Sequence, residues 1–283
     1  MKPSRFVRPI GIALILFWSL APVYWAINTS LQSDATAQAR PAHYFPPDPT
    51  LVNFRTLLGI GKVIAGYESV PDTIRRGLIN IVVESGVATI VTVFLALLAA
   101  YAFARMTFRF HKVIFYAVLA TMALPAYSTL IPLYRIMITL HLVNTYTGIV
   151  LVYVSGFLPI AMWVLYSYLS GIPRALEEAG AVDGASRMQV LWRIVVPVAR
   201  PGIIATATIT FLFGWSQFLF PLVLSSDSST QPLTVVIASL QARHSAPFTL
   251  MNSAGVVAIV IPALITVLLN KYVVNGMLAG SVK

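Results

Sequence analysis

The sequence predicts an all-α integral membrane protein of about six transmembrane helices. Three observations carry that reading. The 283 residues are 58% hydrophobic and only 10% charged, where soluble domains carry roughly 25% charged residues. Six apolar runs recur, each near the roughly 20 residues that cross a bilayer core as a helix. Between the fourth and fifth runs lies one polar, Gly-punctuated segment, EEAGAVDGASRMQVLWRIVVP at 177–197. Lipid offers no partner to an open sheet edge, so the apolar runs are expected to be helical.

The first run, 9–27, follows Lys2, Arg5 and Arg8. A cleaved secretory peptide has an apolar core of about 7–15 residues. This run is longer and holds Trp18, Tyr24 and Trp25, so it reads as a retained first span despite the small residues at 35–39. Residues 28–78 form an extracytoplasmic loop that opens RPAHYFPPDPT and turns mildly apolar at LVNFRTLLGIG. It reads as a partly ordered cap with a short helix at the membrane surface. The Gly-Ile-Gly-Lys at 59–62 is not a phosphate loop: Thr56 stands where that motif needs Gly, and Val63 where it needs Ser or Thr. Spans two to six are expected at 79–103, 113–133, 146–169, 202–224 and 253–274. Pro22, Pro125, Pro132, Pro159, Pro221 and Pro262 inside or beside the spans read as kinks in packed helices.

Orientation follows from Lys and Arg. Twelve of the 19 fall on the side of the N-terminus, of Arg105, Arg109 and Lys112, of the 173–200 loop and of the C-terminus. Seven fall on the other, five of them within 28–78, where length weakens their influence. Both termini and the 177–197 segment are therefore expected to be cytoplasmic, in a multi-pass bacterial or archaeal inner membrane protein. The excess of basic residues reports orientation and anionic lipid, not nucleic acid.

Catalytic constellations are lacking. There is no Cys, and His43, His111, His141 and His244 are scattered without metal-ligand spacing. The acidic pair Glu177 and Glu178 is adjacent, so on a helix the two side chains diverge. The chain reads as neither an enzyme nor a metal protein, and it holds no cofactor of its own.

The 177–197 segment reads as two short helices. Pro173 can open the first, and Glu177 and Glu178 sit in its early turns, where the helix dipole favours acid. Gly180 and Gly184 are four apart, a spacing that offers a smooth face for close docking, and Gly184 suits the turn out of the helix. Ser186-Arg187-Met188-Gln189 is a capping box opening the second helix. Met188, Leu191, Trp192 and Val195 fall on one apolar face, and Pro197 and Pro201 are expected to end the unit before span five. The residues alone leave a docking element and a plain amphipathic connector both open.

The segment resembles the cytoplasmic "EAA" loop of ABC importer permeases, whose pattern is Glu-Ala-Ala, three residues, Gly, nine residues, Ile-x-Leu-Pro. Here Glu178-Ala179-Gly180, Gly184 and Ile194-Val195-Val196-Pro197 keep the spacing, with Gly180 for Ala and Val196 for Leu. Leu98-Ala99-Ala100-Tyr101-Ala102-Phe103-Ala104-Arg105 is similar to the end of span two in sugar-importer permeases. Trp215-Ser216-Gln217-Phe218 is similar to the family's Trp-Asn-x-Phe. The tail Gly276-Met277-Leu278-Ala279-Gly280-Ser281-Val282-Lys283 resembles that of the maltose-type six-span subunit.

The resemblance implies a single transmembrane domain over 1–283 with a cytoplasmic coupling helix between spans four and five. It implies that Glu178, Ala179, Gly180, Asp183, Gly184, Ser186 and Pro197 meet a partner ATPase, with the tail near residues 280–283 reaching the same pair. ATP and Mg would be bound by two copies of that ATPase. The other implied partners are a second, related permease in a heterodimer and an extracytoplasmic solute-binding protein meeting loops 28–78 and 225–251. The cargo implied is a sugar, an oligosaccharide or a related solute such as glycerol-3-phosphate. Asn80, Glu84, Tyr127, Trp215, Ser216, Gln217 and Asn252 are candidate path residues, since polar groups in a membrane are costly. A stand-alone channel or secondary carrier is the competing reading; it predicts internal repeats and mid-membrane ionisable residues, and Glu84, near an outer boundary, is the one such residue in sight.

Overall fold

The computed structural model describes residues 4–60, 68–242 and 247–281. Thirteen α-helices occur among them, and no strand. In order they are α1 (Ser4–Ser30), α2 (Asp34–Ala37), α3 (Val52–Leu58), α4 (Val70–Arg105), α5 (His111–Ala120), α6 (Ala126–Thr139), α7 (Tyr146–Ser170), α8 (Ala175–Val182), α9 (Arg187–Val190), α10 (Val196–Trp215), α11 (Leu219–Leu224), α12 (Leu233–Ala242) and α13 (Phe248–Ser281). Five described helices are long and apolar enough to cross a membrane, six if one bent pair is a single span. Residues 61–67, which include Lys62, lie outside the described residues, as do Val282 and Lys283 of the tail.

Two expected spans differ in form. The run 113–133 is not one rod: a 3-10 turn at Thr121–Ala123 follows α5, and the chain bends by 103° before continuing as α6. Pro125 is the cause. A residue preceding proline is pushed out of the helical region, and Leu124 is extended at φ −71, ψ 124. The run 202–224 is likewise displaced. Its helix begins at Arg187 and ends at Trp215, and the rest of the run is the separate α11.

Pro197 and Pro201 therefore do not end the polar unit; the helix runs through both. A π-helical turn at Leu191–Val195 joins α9 to α10. There Val196 N–H reaches back to Leu191 O, the wider i→i+5 bond of a π turn. Pro197 then falls in the first turn of α10, where a missing N–H is tolerated.

Contacts divide the chain into two units, Met1–Leu78 with Leu233–Ile261, and Ile79–Pro232 with Pro262–Lys283. In the first, a buried polar network stitches the loop after α1 to α13. Asn53 donates to Ser30 O (3.0 Å) and Gln32 O (2.8 Å), and its Oδ1 lies 3.3 Å from the Thr249 hydroxyl. Thr249 also meets Asp34 Oδ1, and Ser253 donates to Thr249 O (2.9 Å). Asn53 thus satisfies two backbone carbonyls at the end of α1 and just beyond it, where the helical ladder has run out. The second unit has an apolar core where the end of α4, α7, α9, the π turn and α10 meet, built on Ala96, Ala100, Leu165, Leu169, Leu191, Val195 and Ala199.

Candidate functional site

The 177–197 segment is built as two short helices folded against each other. Ser186 accepts from Gln189 N–H while the Gln189 side chain accepts from Ser186 N–H, a complete capping box at the start of α9. Gly184 turns the chain out of α8 in the left-handed region at φ 81, which only Gly enters without strain. An added Cβ there would meet nothing within 4 Å. Gly184 is thus required by the backbone, and it stands beyond α8 instead of on its face.

Gly180 departs from the expected docking face. It is buried, and a Cβ added to it would lie 2.4 Å from Ile194 Cδ1 and 3.5 Å from Val190 Cγ2. Its small size lets α8 press against the chain's own second helix, so Gly180 and Gly184 do not form one smooth outer surface. The apolar face of the second helix is also split. Leu191 and Val195 are buried, while Met188 and Trp192 are exposed. Met188 and Trp192 form one i, i+4 stripe and Leu191 and Val195 another, and only the second faces the core. Trp192 stacks on Phe94 instead, with ring centroids 6.3 Å apart at 17°.

The outward surface of the segment is Glu178, Ala179, Val182, Asp183, Gly184, Ser186 and Met188, all exposed, with Val182 at 87%. Pro197 is exposed at the start of α10. An apolar side chain so fully presented beside Asp183 and the Gly184 turn makes a small protruding knob.

A further device was not read from the sequence. Arg105, the last residue of α4, forms an ion pair with Glu177 of α8. Tyr101 donates its hydroxyl to the other oxygen of Glu177 at 3.2 Å, and Arg105 Nη2 donates to Ile172 O at 2.9 Å. Arg174 Nη2 donates to Ala104 O at 3.3 Å. Both partners of the ion pair are largely buried, at 9% and 13% side-chain exposure. The segment is thus clamped to the end of the second span. A signal existed: Tyr101 and Arg105 are i, i+4 on one helix face, and Glu177 is the acid nearest to follow.

The candidate path residues fall into distinct environments. Asn80 is consumed by structure: its amide donates to Gln231 O (2.9 Å) and its Oδ1 accepts from the Tyr146 hydroxyl (2.6 Å). Trp215 is buried against Phe211, with centroids 5.7 Å apart. Ser216 caps α10 and donates to Phe213 O (3.1 Å), and Gln217 N–H closes the turn on Gly214 O (3.2 Å). Tyr127 is 79% exposed. Asn252 belongs to the other unit and donates to Phe248 O within α13 (2.8 Å). Glu84 stands apart. It is fully buried in α4, and neither carboxylate oxygen has a hydrogen-bond partner among the described residues. The hydroxyls of Ser85, Thr92 and Tyr153 are buried without partners as well, and Tyr153 lies within electrostatic reach of Glu84. Ser85 packs so tightly on α10 that a Cβ on Gly214 would lie 3.1 Å from its Cα, Cβ and Oγ.

Residues 92–278 match the family described as the inner membrane component of binding-protein-dependent transport systems. The chain is similar to the sulfoquinovosyl glycerol transport system permease protein of Agrobacterium fabrum, 32% identical over 100% of this chain and 94% of that one. It is also similar to the trehalose/maltose transport system permease protein of Thermococcus litoralis, 30% identical over 99% of this chain and 97% of that one. Among solved structures, a chain of a bacterial ABC transporter that imports the acidic polysaccharide alginate shares the fold, with TM-score 0.79 and 18% identity over 96% of this chain and 98% of that one.

Proposed function

Because the chain belongs to the binding-protein-dependent transport system inner membrane component family, we propose that it is the permease subunit of an ABC importer for a carbohydrate or glycoside. The observation that carries the cargo class is full-length similarity to two permeases named for glycosides. In this reading a second permease completes the pathway. Two copies of an ATPase bind ATP and Mg and hold the knob around Val182 and Asp183, and an external solute-binding protein delivers the cargo. Both termini face the cytoplasm, and the C-terminal tail reaches the ATPase pair. The clamp from Arg105 to Glu177 supports the coupling role. A rigid-body push on α8 passes through a buried ion pair into a membrane-length helix, the kind of contact through which domain motions propagate. Of the path candidates, Glu84 fits best. Its carboxylate is buried with no hydrogen-bond partner among the described residues, so it is free to meet cargo hydroxyls when the helices part.

The test is co-purification followed by uptake. The tagged chain, expressed at native level and extracted in mild detergent, brings down an ATPase and a second permease. Vesicles holding that complex take up labelled trehalose or a sulfoquinovosyl glycoside only with ATP inside and the binding protein outside. Recovery of the chain alone, active without ATP, leaves a channel or secondary carrier and overturns the reading.

A further inference from the structure

A cavity of about 170 Å³ lies where three apolar helices begin or end together: α4 at Phe103, α5 at His111 and Lys112, and α7 at Tyr166. Phe115 and Tyr116 complete its wall. The rings pack on one another, with Phe115 centroids 5.3 Å from Phe103 and 4.6 Å from Tyr166. The mouth is cationic. Lys112 is exposed, and three residues before it in sequence Arg109 holds its guanidinium 4.8 Å over the Phe110 ring. The ion pair seen among the described residues is that of Arg105 with Glu177, so no carboxylate neutralises Arg109, His111 or Lys112 there. None is near in sequence either, since no Asp or Glu occurs between Glu84 and Glu177.

We propose that this cavity holds the headgroup of an anionic phospholipid. Its level is right, because the ends of membrane-length helices lie where headgroups lie. Its charge is right, because basic pockets between helix ends attract anionic lipid. Its size is right: it falls below the roughly 300 Å³ of an ordinary small-molecule pocket, and so suits a headgroup whose tails stay in the bilayer. The rim separates lipid from free phosphate. Phe110, Val113 and Tyr116 are 60%, 64% and 67% exposed beside the basic mouth, apolar surface that acyl chains cover and an inorganic anion does not. The proposal is independent of the cargo.

Native mass spectrometry of the full-length chain in detergent tests it, with phosphatidylglycerol, phosphatidylcholine and inorganic phosphate as probes. One phosphatidylglycerol is expected to be retained in preference to phosphatidylcholine and to resist excess inorganic phosphate. Lys112→Gln should weaken its retention about five-fold, the effect of one basic residue at an anionic surface. Lys112→Arg should restore it, and the remote, exposed Arg135→Gln should leave it unchanged. Equal retention of phosphatidylcholine, displacement by inorganic phosphate, or unaltered retention in Lys112→Gln overturns the proposal.

Discussion

At the scale of single residues, the two glycines of the 177–197 segment separate by physical role. Gly184 holds a left-handed backbone in open space, so its substitution is a matter of strain and not of room. Gly184→Ala should cost about 1–2 kcal/mol, and Gly184→Asn, which tolerates that region, clearly less; thermal unfolding in detergent measures both. If Gly184→Asn unfolds normally yet loses the ATPase on co-purification, the surface itself is the docking site. Gly180 is a matter of room. A methyl group there displaces Ile194 Cδ1, and Ile194→Val removes that atom. The double variant should be more stable than the sum of the single losses, with a coupling of about 0.5–1.5 kcal/mol, in the range seen for residues in contact. Glu84 inverts the usual sign. Glu84→Leu removes an unpaired buried carboxylate, so it should stabilise the chain, by about 1–3 kcal/mol. If Glu84 serves the path, uptake should fall more than ten-fold in the same variant. Raised stability with unchanged uptake would remove Glu84 from the path.

At the scale of elements, what could be read from the sequence and what could not divide along local and tertiary lines. The capping box at Ser186 and Gln189 is a contact between residues three apart, and it was legible because its chemistry is local. The membrane-length helices were legible because lipid leaves an apolar run no other fold. The burial of Gly180 was not legible, since the same spacing serves an inner or an outer face and only the partner helix decides. The split of the second helix's apolar face was hidden for a related reason: Met188 with Trp192 and Leu191 with Val195 are adjoining i, i+4 stripes, and only the packing of the core selects the second. Proline misled in one place and informed in another. Pro125 breaks its helix, while Pro197 is absorbed into a first turn. The clamp spans 72 residues in sequence; the i, i+4 pair Tyr101 and Arg105 hints at a shared partner, but only the fold brings Glu177 to it. Because that ion pair is buried, Glu177→Ala should cost about 3–5 kcal/mol, as expected when one partner of such a pair is removed. Glu177→Leu with Arg105→Met should recover much of that stability. Coupling is the sharper readout: the double variant is expected to hydrolyse ATP in the complex with uptake reduced, since the connection from α8 to α4 is then apolar and unspecific.

At the scale of the whole molecule, the chain presents a surface that its own fold leaves unfinished. Val182 ends α8 with 87% of its area exposed, beside Asp183 and the Gly184 turn, in a segment read as cytoplasmic. Full burial of such a side chain contributes about 1.5–3 kcal/mol, which a partner's socket can supply and water cannot. The absence of Cys makes this testable without background. Val182→Cys and Thr36→Cys each introduce a single thiol, one in the 177–197 segment and one in the loop after α1. In intact cells a membrane-impermeant maleimide should label Thr36→Cys alone. In inverted vesicles stripped of peripheral protein it should label Val182→Cys alone. Restoring the ATPase should then slow labelling of Val182→Cys at least ten-fold, and Gly184→Pro in the same chain, which forbids the left-handed turn, should abolish that protection. Labelling of Val182→Cys from outside would reverse the orientation inferred from the basic residues. Correct sidedness without protection would keep the topology and place the ATPase elsewhere, so the two readings fail separately.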